Sequence, residues 1–464
     1  MALDSAKPTS GKKVLSWALW DWGTQPYNTI VITFVFAVYL VGEEFGSKNY
    51  TSQALGLTTS IAGVFVALLA PVLGQNADRN NSTMRDLRWY TWGLAGLTAL
   101  LFFIKPSPSF LIPGLALLAI GTVISEIAQV SNNSVLDEVA SGRNVGRISG
   151  FGWGMGYMGG IVSLLLFNFG LIAAGNFMGI SSYDSVTAGG IDPATGEEIL
   201  IQEGFNGLGV RLTMLGSAVW ILLFTLPMFI SIQDRHIPGA EKHKGLGVVG
   251  SYVELVRSIG RLWKISRQTV VFLVASAFFR DGLNAIFSFG AVIASLTFGF
   301  SPGEVIIFGA AANIVAGVAT MLFGLLDDKI GPRKVILTSL VFLIAMATAV
   351  FLLHDGGKTV FWIAGMGLCL FVGPAQSASR SYLARLIPAG HAGEVFGLYA
   401  TTGRAVSFLA PACYTVAIAI GASVTGSDNA THWGILGIIF VLILGFAAML
   451  VVKDPDADAM LASA

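Results

Sequence analysis

Long apolar segments, each long enough to cross a bilayer, recur along almost the whole chain. A transmembrane helix needs roughly 20 consecutive, predominantly apolar residues. The segments and their approximate bounds are 14–42, 54–75, 88–106, 110–136, 147–175, 208–231, 268–299, 303–326, 335–353, 359–383, 394–422 and 433–452. This pattern predicts an all-α membrane protein with twelve transmembrane helices.

The composition agrees with a chain that is largely covered by lipid. Of the 464 residues, 54% are hydrophobic and only 12% are charged, and the mean hydropathy is +0.73. Soluble domains carry about 25% charged residues, so this chain has too little charge to coat a surface in water. The formal net charge of zero gives no electrostatic basis for binding nucleic acid. The lipid bilayer is therefore the expected surrounding of the protein.

The positions of the cations predict the orientation of the chain. If the N-terminus is cytoplasmic, 21 of the 27 lysine and arginine residues fall on the cytoplasmic side. Cytoplasmic loops of membrane proteins are enriched in these residues, so we expect both termini in the cytoplasm and the protein in the plasma membrane. A cleavable signal peptide is not expected, because the basic start leads into an apolar run that is too long for one.

Two connections between the apolar segments differ from the others. Segment 232–267 is basic, with Val256 and Ile259 on one helical face and Arg257 and Arg261 on another. This arrangement favours an amphipathic helix on the cytoplasmic membrane surface, although an ordinary linker helix fits the same pattern. Segment 176–207 is acidic and predicted to be extracellular, and its Pro/Gly turn beside a β-branched run predicts a small hairpin.

The chain repeats itself. The stretch "AQVSNNSVL" (128–136) matches "AQSASRSYL" (375–383), with Gln129 opposite Gln376. The same offset aligns Gly146 with Gly393, and "GQNADR" in the first half corresponds to "GLLDDK" in the second. We therefore expect two pseudo-symmetric six-helix bundles, 1–231 and 268–464, joined by the linker 232–267. Duplicated bundles of this kind bind a substrate between them and expose it to each side in turn.

The loop "GLLDDKIGPRK" (324–334) resembles the signature between the second and third helices of each half in the major facilitator superfamily. The first-half copy keeps its glycine, its aspartate and one cation. A carboxylate at a helix end can hold a neighbouring helix N-terminus or a cation and so keep one state closed. The resemblance implies a cytoplasmic gate formed by Gly74, Asp78, Arg79, Gly324, Asp328, Lys329, Gly331, Arg333 and Lys334.

Four further stretches resemble the UMF1/Atg22-like branch of that superfamily. They are "SWALWDWGTQPYNTIV", "GRISGFGWGMGYMGG", "FFRDGLNAI" and "SRSYLARLIPAGHAGEVFGLYATTGRAVSFLAP". Together they cover both halves of the chain. The resemblance implies a transporter, and it is the characterised eukaryotic members of this branch that are linked to amino-acid export from the vacuole. Gln25-Pro26 and Asn284-Ala285 depart from the pattern of the branch near the expected cavity.

Charged and amide side chains lie inside several apolar segments. A lone charge at the bilayer centre costs at least about 2.5–3.5 kcal/mol, so these groups should face one another or a wet cavity. The candidate substrate or proton site is Asp21, Gln25, Glu126, Gln129, Asn133, Arg280, Asp281, Asn284, Gln376, Arg380 and Arg404. Three alternatives stay open: Asp21 pairs with a cation at a helix end, Arg280 forms a structural pair between helices, or Arg380 is an ordinary cation at the cytoplasmic end of its helix. Adjacent Arg280 and Asp281 point about 100° apart, so only one of them can face the cavity squarely.

Carboxylates and guanidiniums in one cavity suit a small polar or zwitterionic solute, plausibly an amino acid or a derivative. A carboxylate such as Glu126 can bind a proton in one state and release it in the other, so we expect a proton-coupled secondary transporter working in the outward direction. Proton-independent uniport, export of amphiphilic or drug-like compounds, and a non-transporting membrane sensor remain alternatives. An enzyme is not expected, because the five histidines are scattered and no HExxH, GxSxG or P-loop motif occurs. No cofactor and no metal are expected, and the protein is expected to be a monomer.

Overall fold

Nearly all of the described chain is helical. The computed structural model describes residues 10–172, 176–177, 180–181, 185–191, 198–203, 207–234, 266–300, 302–387, 391–426 and 430–453, with part of the segment 250–264. The predicted surface helix within 232–267 lies largely outside the described residues. Statements on halves below refer to the chain before and after this segment.

The described residues of the first half form seven α-helices. They are α1 (Gly11–Pro26), α2 (Phe36–Leu40), α3 (Lys48–Asn80), α4 (Thr83–Leu100), α5 (Leu111–Val139), α6 (Val145–Phe167) and α7 (Leu208–Ser231). Two π-helical stretches, Tyr27–Phe34 and Asn168–Ile172, follow α1 and α6. Short 3₁₀ turns occur at Glu43–Phe45, Leu101–Phe103 and Pro108–Phe110.

The second half contains the helices α8 (Arg267–Leu296), α9 (Pro302–Ile330), α10 (Pro332–Leu352), α11 (Gly357–Leu386), α12 (Ala392–Val406), α13 (Leu409–Thr425) and α14 (Gly434–Val451). A 3₁₀ turn at Thr431–Trp433 precedes the last helix. Between α9 and α10 the chain turns at Gly331, whose φ of 89° is readily adopted only by glycine. Pro332 then begins α10, where the missing N–H costs no hydrogen bond.

Each of the twelve predicted apolar segments coincides with helix in the structure. Within the described residues, ten helical segments are long and apolar enough to cross a membrane. The joined pair α12–α13 counts as one of them. The 16-residue α1 is too short to be counted by itself, and α4 carries Arg85, Asp86 and Arg88 in its first turns. The membrane-spanning helical class is confirmed, whereas twelve spans remain a prediction.

The predicted hairpin in the acidic connection is present. Strand β3 (Ser185–Ile191) pairs antiparallel with β4 (Glu198–Glu203), with Val186 opposite Gln202. The expected turn at 192–197 lies outside the described residues. A shorter pair, β1 (Asn176–Phe177) and β2 (Ile180–Ser181), precedes it.

The first helix changes its geometry at Pro26. Proline lacks an N–H and disrupts the regular α-helical hydrogen bonds, so the following eight residues continue as a π-helix. At Val35, φ is −119° and ψ is −68°, and the short α2 begins there. Asp21 and Gln25 lie just before this irregular stretch, on the regular part of the helix.

Two long helix pairs join the halves. Helix α3 packs along α12, and α6 packs along α9. The internal repeat relates α3 to α9 and α6 to α12, so the two contacts are copies of one another. One hydrophobic cluster runs through both halves and includes Trp17, Phe279 and Tyr382. A second cluster consists of first-half residues, among them Tyr27 and Phe36 around the π-helix.

Several loops and helix ends meet at one end of the molecule. Arg333 at the start of α10 donates to the Val452 carbonyl at 2.6 Å, beyond the end of α14. Tyr382 near the end of α11 donates to the Lys453 carbonyl at 2.5 Å. We call this end, where α10 starts and α14 ends, the basic face. It is the end that the sequence predicts to be cytoplasmic.

Close packing at glycine gives a stability prediction. A Cβ added to Gly159 on α6 would lie 2.5 Å from the Trp22 carbonyl oxygen of α1, whereas Gly96 on α4 has nothing within 4 Å of such a Cβ. We expect Gly159→Ala to reduce the free energy of unfolding by about 1–3 kcal/mol through overpacking. Gly96→Ala should be neutral or slightly stabilising, since alanine favours helix. Thermal unfolding in detergent compares the two; equal stability of both variants would contradict the packing.

Candidate functional site

A buried ion pair joins the two halves near the basic face. Asp21 on α1 and Arg380 on α11 are 6% and 2% exposed. Arg380 Nη1 lies 3.5 Å from Asp21 Oδ2. Asp21 lies ten residues beyond the start of α1, or about 15 Å along a helix, so the pair is at membrane depth. Because an isolated charge is costly there, each group serves as the counter-ion of the other.

First-half groups satisfy the remaining donors of Arg380. Its Nε donates to Ser149 Oγ at 3.0 Å and its Nη2 to the Ser149 carbonyl at 2.7 Å. Its Nη1 also donates to Asn133 Oδ1 at 3.2 Å. The guanidinium carbon lies 4.8 Å from the ring centroid of Trp17 and 5.6 Å from that of Trp153. Arg380 is thus enclosed by polar acceptors and aromatic rings of the opposite half.

Amides of α5 complete the surroundings of Asp21. Gln129 Nε2 donates to Asp21 Oδ1 at 3.4 Å and to Asn133 Oδ1 at 3.2 Å. Asn132 Nδ2 donates to Asp21 Oδ1 at 3.3 Å. The three amides lie within two successive turns of one helix, so the sequence places them close together. Together with Asp21, Arg380 and Ser149 they form what we call the central cluster.

Sequence reasoning did not identify four members of these surroundings. Asn132 follows Gln129 by three residues, and this spacing on a helix was the available signal. Ser149 and the two tryptophans Trp17 and Trp153 gave no such signal, because serine and tryptophan are ordinary residues in membrane helices. They become functional candidates only through their contacts with Arg380.

A second charged pair spans the halves farther from the basic face. Arg404 on α12 pairs with Glu126 on α5, through Nη2 and Oε1. Their side chains are 33% and 36% exposed, in contrast to the buried central cluster. Solvent or solute can therefore reach this pair while the central cluster is covered.

The other polar residues that the sequence predicts for the site lie outside the central cluster. Gln376 on α11 accepts a hydrogen bond from Tyr157 Oη of α6 at 2.8 Å, which is a further contact between the halves. Gln25 is half-buried one turn beyond Asp21 and lies beside Gly160. Asn284 on α8 is exposed. These residues surround the central cluster without joining it.

Arg280 and Asp281 point in different directions, as their adjacency on α8 requires. Asp281 is 4% exposed and accepts a hydrogen bond from the Ala410 amide at 2.7 Å, at the first turn of α13. It is therefore a cap of a helix N-terminus, away from the central cluster. Arg280 donates to the Tyr399 carbonyl at 2.7 Å, with its guanidinium carbon 3.6 Å from the Tyr399 ring centroid.

Two aspartates lock the basic face by capping helices of the opposite half. Asp78, at the end of α3, accepts hydrogen bonds from the Gly393 and Glu394 amides of α12 at 2.9 and 2.8 Å. Asp328, at the end of α9, accepts from the Gly146 and Arg147 amides of α6 at 2.7 and 2.9 Å. A helix N-terminus carries partial positive charge and free amides, so each carboxylate is well placed. We call this pair of contacts the double latch.

Glycines allow the latch helices to approach closely. A side chain on Gly74 would collide with the Gly393 backbone, and one on Gly324 would lie 2.8 Å from the Gly146 carbonyl oxygen. Arg385 of α11 reinforces the second latch by pairing with Asp327 at 2.9 Å and with Asp328 at 3.2 Å. The basic face is therefore closed in this structure.

The cations of the predicted gate differ from one another in burial and in contacts. Arg333 donates to the Val452 and Leu450 carbonyls, so it ties α10 to the end of α14. Lys329 and Lys334 are exposed, and Arg79 is half-buried at the end of α3. Among the residues of the predicted gate, Asp78 and Asp328 make direct hydrogen bonds between the halves.

These features define a class of protein. The arrangement of membrane helices is that of a major facilitator superfamily transporter, and it matches the crystal structure of FucP in the outward conformation with a TM-score of 0.66 at 12% identity, covering 96% of this chain and 98% of that one. Such proteins carry small molecules through the bilayer and are not enzymes. The family model for vacuole effluxer Atg22-like proteins matches residues 137–458. The chain belongs to this family.

Individual relatives agree with this assignment. An uncharacterized MFS-type transporter, YxiO of Bacillus subtilis, is 27% identical over 444 residues, which cover 94% of both chains. Autophagy-related protein 22 of Cryptococcus neoformans is 26% identical over 261 residues, which cover 52% of this chain and 44% of that protein. The predicted family and the predicted fold class are thus confirmed.

The double latch gives a conformational prediction. We expect Asp78→Asn and Asp328→Asn together to favour opening at the basic face, since an amide can accept only one of the two backbone hydrogen bonds at each site. A hydrogen bond to a charged group contributes about 1.5–3 kcal/mol, so the open population should rise about tenfold or more. A cysteine at Ser377, in a background without Cys369 and Cys413, reports opening by its rate of maleimide labelling.

Asp234 supplies a matched control for this experiment. Its carboxylate accepts from the Met84 and Arg85 amides at 2.7 and 3.1 Å, so it caps α4 in the same way but within one half. Asp234→Asn should leave the labelling rate unchanged. Equal labelling of the latch and control variants would show that the two caps do not hold the face closed.

The buried pair gives a stability prediction. Asp21→Ala leaves Arg380 without its counter-ion, and removing one partner of a buried pair costs about 3–5 kcal/mol. Asp21→Asn combined with Arg380→Gln should restore much of this loss, because no uncompensated charge remains. Thermal unfolding in detergent measures both. Arg85→Ala is the control: its side chain is 60% exposed and pairs with Asp86, so a change below about 1 kcal/mol is expected. An Asp21→Ala loss no larger than this would contradict the role of the pair.

Proposed function

We propose that this transporter moves a small polar or zwitterionic solute, such as an amino acid or a derivative, across the plasma membrane by alternating access. The observation that carries the proposal is the set of opposite charges contributed by both halves, Asp21 with Arg380 and Glu126 with Arg404. A solute with polar or charged groups can replace such contacts when the halves separate. A purely apolar solute would leave these charges without partners at membrane depth.

The two pairs fit different steps of the transport cycle. The Glu126–Arg404 pair is about one third exposed, so it can meet a solute in the present state. The central cluster lies nearer the basic face, beneath the double latch, and becomes available when that face opens. In this proposal bundles 1–231 and 268–464 rock about their shared contacts, so that a solute taken up at the central cluster leaves past the Glu126–Arg404 pair.

Coupling to protons is the second part of the proposal. Glu126 has a carboxylate that solvent can reach and a single guanidinium partner among the described residues. Protonation of Glu126 would release Arg404 and weaken a contact between α5 and α12. Proton-driven efflux from a monomer is therefore the form of transport that we propose.

An apolar groove favours a second candidate, export of amphiphiles. The groove has a volume of about 450 Å³ and lies between α3 and α5, with Leu57, Ile61 and Ile112 among its lining residues. Tyr50, Gln53 and Thr58 give it a few polar atoms. An acyl chain fits such a groove better than an amino acid does. The charged pairs between the halves favour the polar solute over this candidate.

Counterflow in proteoliposomes tests the proposal. Labelled amino acids, sugars and amphiphiles are exchanged against the same unlabelled compound, and we expect exchange of the polar or zwitterionic solutes. Glu126→Gln should reduce the exchange rate about tenfold or more, because it removes a charge-assisted contact, and should flatten its dependence on pH. Asp86→Asn is the control and should exchange normally. Exchange of amphiphiles alone, or a Glu126→Gln rate equal to that of the control, would exclude the proposed solute or the proposed role.

A further inference from the structure

Arg280 differs from Arg380 and Arg404, the other two arginines of the candidate site. Arg380 is paired with Asp21, and Arg404 is paired with Glu126. Within the described part of the chain no carboxylate lies within ion-pair distance of Arg280, and its one hydrogen bond goes to the Tyr399 carbonyl. A guanidinium has five N–H donors, so most of those of Arg280 remain available.

The neighbouring carboxylate does not neutralise Arg280. Asp281 points to the α13 N-terminus, where it accepts from the Ala410 amide, and it is 4% exposed. Its negative charge offsets the positive end of that helix. The two side chains leave α8 about 100° apart, and no ion pair joins them. Asp281 is thus committed to the fold on a different face of the helix.

The free side of Arg280 faces the space between the halves. Asn284 lies one turn beyond it on α8 and is exposed. Phe287, one further turn along the same face, contacts the ring of Tyr157 on α6 at 6.4 Å between centroids. Because α6 belongs to the first half, this face of α8 points toward the opposite half. Arg280 therefore lies on the same internal surface as the Glu126–Arg404 pair.

Contacts with Tyr399 also fix the plane of the Arg280 guanidinium. The guanidinium lies over the Tyr399 ring, and the Tyr399 hydroxyl is 2.7 Å from Ser379 Oγ. Gly403 provides the room: an added Cβ would lie 3.0 Å from Arg280 Nη1. A fixed, planar guanidinium can bind an anionic group through two parallel hydrogen bonds.

The candidate-site charges at membrane depth between the halves, with Asp281 set aside because it caps α13, give an excess of one cation. Asp21 and Glu126 are negative, and Arg280, Arg380 and Arg404 are positive. We propose that Arg280 binds an anionic group of the transported solute, so that the cargo carries a carboxylate or a comparable anion. This inference rests on the proposed function and narrows it: neutral sugars and purely cationic amines are not cargo.

Thermal stabilisation of the purified full-length protein tests the inference. The probes are alanine and phenylalanine, each with its amide, its decarboxylated amine and its deaminated acid; inorganic phosphate forms a separate arm. We expect compounds that carry a carboxylate to raise the Tm, and their amides and amines to leave it unchanged. Stabilisation by phosphate alone would identify a free inorganic anion as the ligand of the same site.

Variants assign any such effect to Arg280. Arg280→Gln should weaken the apparent affinity for the carboxylate compounds about tenfold or more, and Arg280→Lys should weaken it less. Gly403→Ala should have an intermediate effect, since it displaces the guanidinium without removing it. Arg267→Gln is the matched control, with the same substitution on the same helix at the basic face, and should bind as the unchanged protein does.

Three results would overturn the inference. They are stabilisation by amides equal to that by acids, an unchanged response of Arg280→Gln, and no response to any anion. Counterflow separates this failure from failure of the proposed function. Exchange of polar solutes regardless of their carboxylate would remove only the role of Arg280. An Arg280-dependent Tm shift without exchange would retain the anion site and exclude transport of those solutes.

Discussion

The burial of Arg380 is the constraint on which the closed arrangement depends. A guanidinium that is 2% exposed at membrane depth is tolerated only if acceptors replace its hydration. Its side-chain hydrogen bonds within the described residues all go to the other half, to Asp21, Asn133 and Ser149. Separation of the halves at this level therefore removes the partners of a charge. The free energy of opening depends on what replaces them, and water and a polar solute are the available substitutes. Conformational change and solute binding are thus linked through one side chain.

The double latch shows how duplication shapes the closure. The repeat places Asp78 and Asp328 at equivalent helix ends. Asp78 caps α12 and Asp328 caps α6, and the repeat relates these two capped helices as well. A break at one contact leaves the other in place, so the face opens fully only when both are released. The double latch consists of hydrogen bonds from backbone amides to carboxylates and does not itself need a large apolar surface. Such contacts can be exchanged for water at modest cost, as a cycle between two states requires. The latch lies nearer the basic face than the central cluster, so it also covers that cluster.

Much of this could be predicted from the sequence, for identifiable reasons. Bilayer thickness fixes the length of an apolar helix, and the segments were accordingly located to within a few residues. The cost of a lone charge in lipid predicts that these groups face one another or a wet cavity, but it does not predict the pairs Asp21–Arg380 and Glu126–Arg404, whose partners are hundreds of residues apart. Sequence spacing could not show that Asp281 caps α13, because that role depends on the break between α12 and α13. Nor could it show Ser149 as a partner of Arg380, because hydroxyls and carbonyls give no pattern in an apolar run.

The contrast between Arg280 and Asp281 shows why adjacency in sequence does not imply a shared role. Successive residues on a helix diverge by about 100°, so one side chain of such a pair reaches the fold and the other reaches the interior space. Here the carboxylate caps the start of α13, and the guanidinium lies against Tyr399 of α12. A charged Arg280 without a counter-ion from the described residues raises the free energy of the empty protein. In the proposed function, an anionic group of the cargo offsets this free energy while the cargo is bound. The charge balance of the interior therefore favours a loaded transporter over an empty one whenever Arg280 is removed from water.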